Sequence, residues 1–382
     1  MKAVLRGYQR EALDAFLATG KGILRIHPGG GKTIIGCAAI EALTARYHAA
    51  RAGLATVSIP AGVGTGLFLT LVVVPTNELK DQWERVFDEQ GITNYAITTY
   101  AMAALRWKRG EEKWFTAFDL IIFDEAHHLA EGVQWSRLLI PAWKVHYALG
   151  LTSTPPQDPE NLMLRVLPVL YERTFADGLK EGYAAPVEVR PIAVQLTDDE
   201  RKQYAELTNE IRVHQLKHGA NNFKSAVFTK RKMVVTMAEQ KFIRLADVVD
   251  SINATDAPQR ILVWSEFVSA LEQAHTVLTQ RGIRAEYVHG EQAKGFRKAV
   301  FENWGKTFQV LLAAKLMEEG VDVPSVSHGI VLAGAKTSRQ NTQRIGRLLR
   351  PLPNKVAKLW VLFCERSMEE RLIPLIVKIT DE

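Results

Sequence analysis

The sequence predicts an α/β protein of two tandem lobes, each built on a parallel sheet, with a helical insertion at the start of the second half. Three observations predict it. Short Val/Ile/Leu runs alternate with helical patterns through the first half. The same alternation restarts near Arg260. Between the two series, Thr197–Ile252 is rich in charge and helix formers and breaks at Asn221-Asn222.

In the first series the strand candidates are Gly22–Ile26, Leu69–Val74, Tyr95–Thr99, Leu120–Phe123 and Val145–Leu151, with helical patterns such as Lys32–Arg46 and Asn77–Glu89 between them. Continuous apolar runs mark strands buried on both faces, and strand–helix alternation implies right-handed parallel crossovers. Residues 52–66 hold Gly53, Gly62, Gly64 and Gly66 and few charges, which predicts a surface loop or hairpin. In the second series the strands are Ile261–Trp264, Arg284–Val288, Val310–Ala313, His328–Val331 and Lys358–Phe363, with the helix Val268–Arg281 between the first two. Prolines and a glycine at Tyr183–Pro191 mark the joint. The expected domains are therefore 1–190, a helical arm at 191–258 and 259–382.

The chain has 382 residues, 47% hydrophobic and 24% charged, a balance that supports a buried core. Its net charge of +6 suits a polyanionic partner. Cys37 and Cys364 are far apart and outside any CxxC spacing, which argues against a disulfide framework, a zinc site or an iron–sulfur cluster. Met1–Arg6 carry no apolar signal core, and the run Leu67–Val74 is too short to span a bilayer. A cytoplasmic protein, of a prokaryotic or a viral host cytosol, is expected.

Chemistry concentrates in three places. His27-Pro28-Gly29-Gly30-Gly31-Lys32-Thr33 follows a strand and opens a helix, the setting of a phosphate-binding loop. Glycines let backbone N–H groups approach phosphates, Lys32 reaches the β- and γ-phosphates, and the Thr33 hydroxyl serves Mg²⁺. Ile26 stands where the simple GxxxxGK[ST] pattern has glycine. Second, Leu120–Phe123 delivers Asp124 and Glu125 to the C-terminal end of a strand, where open α/β sheets bind ligands. Asp124 is assigned to Mg²⁺ and Glu125 to the attacking water. Third, Arg344, Arg347 and Arg350 recur at i, i+3, i+6 on one helix face, with no acids to pair them. Arg347 and Arg350 suit the charge that develops on a γ-phosphate. The same face also suits a phosphate backbone or an ion-pair helix.

These elements, in this order, resemble superfamily 2 helicases and translocases, and other segments extend the match over nearly the whole chain. Arg6-Gly7-Tyr8-Gln9 resembles the R-x-Y-Q element, Val72–Thr76 with Leu79 and Gln82-Trp83 resembles motif Ia, and Thr98-Thr99-Tyr100 resembles Ib. Asp124-Glu125-Ala126-His127 is a DEAH box, and Leu151–Pro155 resembles motif III. Ile261–Glu266 resembles motif IV, His289-Gly290 the turn that follows it, Glu319–Pro324 motif V and Gln343–Arg350 motif VI. The XPB-type repair helicases, the phage UvsW group and restriction-system motors are the branches it looks most like.

The resemblance implies two RecA-like lobes that hydrolyse ATP with Mg²⁺ between them. It implies adenine recognition through Gln9 beside Arg6, phosphate binding by Gly29, Gly30, Gly31, Lys32 and Thr33, ribose contact near Asp322, and γ-phosphate contacts by Gln343. It implies coupling of hydrolysis to lobe movement through His127, Thr152 and Thr154. Strand contacts would come from Pro75, Thr76, Thr99, Tyr100, Ser265, Glu266 and Gly290, largely through backbone amides. Ala314 then Lys315 replace the usual threonine of motif V, so that contact passes to Lys315 or is lost. Lys224, Lys230, Arg231 and Lys232 form a basic cluster that either clasps a duplex or is a solvated helix face. The expected activity is that of an ATP-dependent DNA helicase or double-strand translocase, with a partner subunit supplying specificity. The alternatives are an RNA helicase or nucleoprotein remodeller, and a non-hydrolysing ATP-switch adaptor.

Overall fold

The computed structural model describes residues 4–52, 67–130, 135–218, 225–255, 260–314, 326–332, 356–371, 373–374 and 376–377. The chain divides into two compact units, one running to Glu181 and the other starting at Gly182.

In the first unit, α1 (Gly7–Thr19) precedes β1 (Lys21–Ile26), α2 (Lys32–Arg51), β2 (Thr70–Val74), α3 (Asn77–Gln90), β3 (Tyr95–Thr99) and α4 (Tyr100–Lys108). Then come β4 (Leu120–Asp124), β5 (Tyr147–Thr152) and β6 (Val169–Arg173). The six strands are ordered β3-β2-β4-β5-β1-β6, every neighbouring pair parallel. The apolar runs explain this: β2 and β4 are buried along their whole length. Turn chemistry sets the helix ends. Thr76 and Thr99 cap α3 and α4 by accepting the backbone N–H groups of Leu79 and Met102, and Gly20 and Gly91 close α1 and α3 in the left-handed conformation.

The second unit holds β7 (Val187–Val194), α5 (Asp198–His218), α6 (Ser225–Thr236), α7 (Glu239–Thr255), β8 (Ile261–Ser265), α8 (Val268–Gln280) and β9 (Ala285–Val288). It continues with α9 (Lys294–Asn303), β10 (Val310–Ala314), β11 (His328–Val331) and β12 (Ala357–Cys364). Its sheet runs β7-β12-β11-β8-β10-β9, again parallel throughout.

Two strands were not expected, β6 and β7. Val187–Arg190, grouped by sequence with the first lobe, pairs with Ala357–Trp360 of β12 in the second sheet. The proline at position 191 sits in β7, an edge strand where a missing N–H is tolerated. The helical arm also divides. Phe242, Leu245, Val249 and Ile252 of α7 are buried against Ile261, Val263, Leu271 and Leu312, so α7 is a layer of the second core. Each such side chain contributes roughly 1.5–3 kcal/mol by leaving water. Lys241 of α7 is itself fully buried and donates to Glu369 Oε1 (2.7 Å) and to the Leu332 carbonyl (2.9 Å). Glu369 Oε2 accepts from the Cys364 N–H at 2.9 Å, so one buried ion pair ties α7 to the ends of β11 and β12. The expected loop at 52–66 lies, except for Ala52, outside the described residues. Among the described residues no helix is long and apolar enough to cross a membrane.

Candidate active site

A parallel sheet puts all strand C-termini on one edge, and in the first unit the candidate residues follow from strand order. Lys32 lies beyond β1, Thr152 ends β5, Asp124 ends β4, Thr76 follows β2 and Thr99 ends β3. The nucleotide candidates therefore occupy β1, β5 and β4, and the strand-contact candidates the adjoining β2 and β3.

The loop after β1 is shaped by glycines. Gly29 and Gly31 have φ of 80° and 77°, in the left-handed region. Ile26, at the place where the simple pattern has glycine, is fully buried, and its Cγ2 would lie 2.5 Å from a Cβ at Gly30. The bulk of Ile26 is thus accommodated by the missing side chain four residues on. Helix α2 opens on Gly31 with no side-chain cap and no acid in its first turn. Its first N–H groups and its dipole together favour an anion.

From below, α1 braces this loop. Tyr8 Oη and Gln9 Nε2 both donate to the Gly30 carbonyl, at 2.8 and 3.1 Å, and Gln9 Oε1 accepts from the Arg6 N–H at 2.9 Å. Gln9 is 5% exposed and Arg6 is exposed. Arg173, on the unexpected β6, lies over the Tyr8 ring at 4.0 Å, pairs with Glu181 at 2.6 Å, and its carbonyl accepts from the His27 N–H at 3.2 Å. Burial pushes the His27 imidazole below its ordinary value, and the nearby Arg173, Lys32 and Arg6 charges act in the same direction. Tyr8 was legible only as part of a motif. Arg173 was not legible, because its strand was not.

Opposite the loop, Glu125 has a φ of 47°, unusual for a side-chain-bearing residue. Lys32 Nζ donates to its Oε1 at 2.9 Å. Oε2 is buried without a hydrogen-bond partner, 3.5 Å from His127 Nδ1. His127, 1% exposed, places the same nitrogen 3.0 Å from Thr152 Oγ1, which also accepts the Thr154 N–H at 3.2 Å. Lys32, Glu125, His127, Thr152 and Thr154 therefore form one contiguous polar chain. Asp124 accepts at both oxygens: Oδ1 from the Glu125 N–H (3.0 Å) and Oδ2 from the Trp83 indole (2.8 Å). Burial first, then the Glu125 charge, pushes its carboxyl up to about 6. Thr33 is half-buried at the helix start.

Several expected strand contacts stand differently. Tyr100 is 1% exposed, donates to the Asp124 carbonyl at 3.0 Å and packs on Phe123, His128 and Trp135. Its side chain holds the DEAH segment and does not face solvent. Tyr100→Phe is expected to cost about 1–2 kcal/mol in denaturant unfolding, from a buried carbonyl left unpaired, with nucleic-acid affinity unchanged. Ser265 is fully buried, its Oγ accepting from the Phe267 N–H at 3.2 Å. Lys232 is buried too and pairs with Glu266. Arg231 lies over Tyr204 and Phe228, Lys230 is exposed, and Lys224 lies outside the described residues. The basic cluster is therefore not one solvated face. Pro75, Thr76 and Thr99 are half-buried and Gly290 is exposed. Lys315, Asp322, Gln343, Arg344, Arg347 and Arg350 lie outside the described residues.

Comparison with known families finds "Type III restriction enzyme, res subunit" over residues 2–113 and 89–157 and "Helicase conserved C-terminal domain" over 240–351. Among curated proteins, the DNA 3'-5' translocase XPB2 of Sulfurisphaera tokodaii is 27% identical over 380 residues, covering 91% of this chain and 79% of that protein. The DNA 3'-5' helicase XPB of Mycobacterium tuberculosis is 27% identical over 359 residues, covering 91% of this chain and 58% of its own length. A putative DNA 3'-5' helicase Rad25 of Haloarcula marismortui is 24% identical over 394 residues, with 97% and 54% covered. The chain thus spans little more than half of the latter two. The crystal structure of the Pyrococcus furiosus Hef helicase domain shares the fold, with a TM-score of 0.58 at 15% identity, over 96% of this chain and 97% of that one.

Proposed function

This chain belongs to the superfamily 2 helicases and translocases, with XPB-type relatives, and on that premise we propose that it is an ATP-dependent DNA helicase or double-strand DNA translocase. The observation that carries the reading is the meeting of Lys32 with Glu125, 2.9 Å apart beside Asp124, at the C-terminal edge of the first sheet.

The residues present fit a nucleotide with Mg²⁺. An uncapped helix start faces the phosphate position, a lysine stands beside it, and Glu125 Oε2 is buried without a hydrogen-bond partner. Asp124 and Thr33 would hold the cation, whose chemistry is to neutralise phosphate charge. Glu125 pairs with Lys32 at 2.9 Å. A phosphate that takes Lys32 releases Glu125 to orient the attacking water. The same movement reaches His127, and through it Thr152 and Thr154, by the contacts already described. By the family resemblance, Gln343, Arg347 and Arg350 are proposed as γ-phosphate contacts. The nucleotide would then favour a closed arrangement by its differential affinity, and hydrolysis would release it.

Asp124 must be ionised to serve a cation. Its carboxyl is raised to about 6, so affinity for ATP with Mg²⁺ is expected to weaken as pH falls through about 6. Calorimetric titration across that range checks it, and an affinity unchanged below pH 6 would contradict the role of Asp124.

DNA contact is proposed along the β2 and β3 end of the edge through Pro75, Thr76 and Thr99, and through Gly290 in the second unit, mostly to phosphate and sugar. A partner subunit is proposed to supply specificity. The test is the ATPase rate with no nucleic acid, single-stranded DNA, duplex DNA and RNA in parallel, beside unwinding of a forked duplex. Stimulation by DNA is expected. Stimulation by RNA alone would replace the reading with an RNA-dependent motor, and no turnover at all would replace it with an ATP-binding adaptor.

A further inference from the structure

We propose that Trp83 is a positioning residue for the Asp124 carboxylate, and that it thereby sets how tightly the nucleotide site holds its cation. The proposal rests on the reading of that site as one for a metal-bound nucleotide. Trp83 lies on α3, the helix that leaves β2, the strand beside β4. Its side chain is fully buried, and its one polar atom donates to Asp124 Oδ2 at 2.8 Å. The other carboxylate oxygen is held at 3.0 Å by the Glu125 N–H. With one donor on each oxygen, the carboxylate plane is fixed and its remaining lone pairs point in set directions. Partners of this kind orient metal-binding carboxylates, and losing one typically costs about 10–100-fold in metal affinity.

The far rim of the same indole bears on α2. A Cβ at Gly36 would lie 2.7 Å from Trp83 Cη2, closer than real side chains approach. Gly36 thus clears the space in which the ring lies, one turn beyond Lys32. The indole spans from the helix that follows the phosphate loop to the carboxylate of the next motif, and Phe87 packs edge-on at 5.4 Å to hold it there. Phenylalanine would keep most of the ring but lose the donor. Alanine at Gly36 would keep the donor but displace the ring.

The experiment uses the full chain, with Mn²⁺ as the probe cation and ADP as the nucleotide. Electron paramagnetic resonance measures Mn²⁺ affinity in the ADP complex, and calorimetry in EDTA measures ADP affinity without metal. For both Trp83→Phe and Gly36→Ala, Mn²⁺ affinity is expected to fall about 10–100-fold while metal-free ADP affinity stays within about twofold. Wild-type Mn²⁺ affinity in Trp83→Phe would overturn the proposal. So would a parallel loss of metal-free ADP binding in both variants, since the indole would then be structural support only. If the unaltered chain fails to bind Mn²⁺ with ADP, the nucleotide-site reading itself fails, a result distinct from either.

Discussion

Arg347→Ala is expected to lower the rate of ATP hydrolysis by about 10³–10⁵-fold, the usual worth of an arginine that meets a γ-phosphate. The physical basis is charge. In phosphoryl transfer negative charge spreads over the equatorial oxygens, and a preorganised cation stabilises the transition state without reorganising at the moment of reaction. Arg344, Arg347 and Arg350 recur at i, i+3, i+6, with no acid in the segment to neutralise them. ADP binding should survive, because the phosphate loop, Lys32 and Gln9 belong to the other unit. Lysine should not restore the rate, since it lacks the planar fork of donors. Steady-state kinetics with an ADP titration checks this. A rate within tenfold of wild type in both Arg347→Ala and Arg350→Ala would remove the motif VI arginines from the chemistry.

Glu125→Gln should reduce turnover by about 10²–10⁴-fold, the range of a positioned acid–base group. Glutamine fits the same space and keeps an acceptor for Lys32, so the backbone and its φ of 47° should persist. It carries no charge, however, and competes more weakly with phosphate for Lys32. The Lys32–Glu125 ion pair, at 2.9 Å, has to give way for a phosphate to take Lys32. ATP affinity should therefore rise as turnover falls, a pairing that Lys32→Ala, which loses affinity, does not give. Single-turnover kinetics with ATP binding measured separately decides it, and equal rates for Glu125→Gln and wild type would end the assignment.

Central strands were legible because both of their faces are buried. Leu120-Ile121-Ile122-Phe123 has no polar alternative, and it appears as β4 in the middle of the sheet. Strands β6 and β7 were missed for the complementary reason. They lie on sheet edges, are buried only at their last residue, and sit among prolines that mask a short extended run. The arm was read from its charge. The apolar face of α7 becomes visible only against β8 and α8, so its membership of the second core needed three-dimensional packing.

At the site, residue identity carried the loop and the two carboxylates, since the chemistry constrains their spacing along the chain. It could not place Tyr100, Ser265 or Lys232, because whether such a side chain turns inward depends on distant partners: the Asp124 carbonyl, the Phe267 N–H and Glu266. Motif likeness marked Trp83 without its reason. The reason is a long-range contact between α3 and β4 that no local pattern encodes.

The proposed hydrolysis requires Lys32 and the motif VI arginines to serve the same nucleotide. Glu89 and Gln280 are exposed, one in each unit, and suit cysteine substitution for spin labels. Cys37 and Cys364 are buried, with thiols pushed up to about 12, and should remain unlabelled. The distance between the labels, measured by double electron–electron resonance, should shorten when ADP is replaced by ADP with beryllium fluoride, and should not shorten in Arg347→Ala combined with Arg350→Ala. A distance indifferent to the γ-phosphate analogue in the chain that retains both arginines would contradict the account.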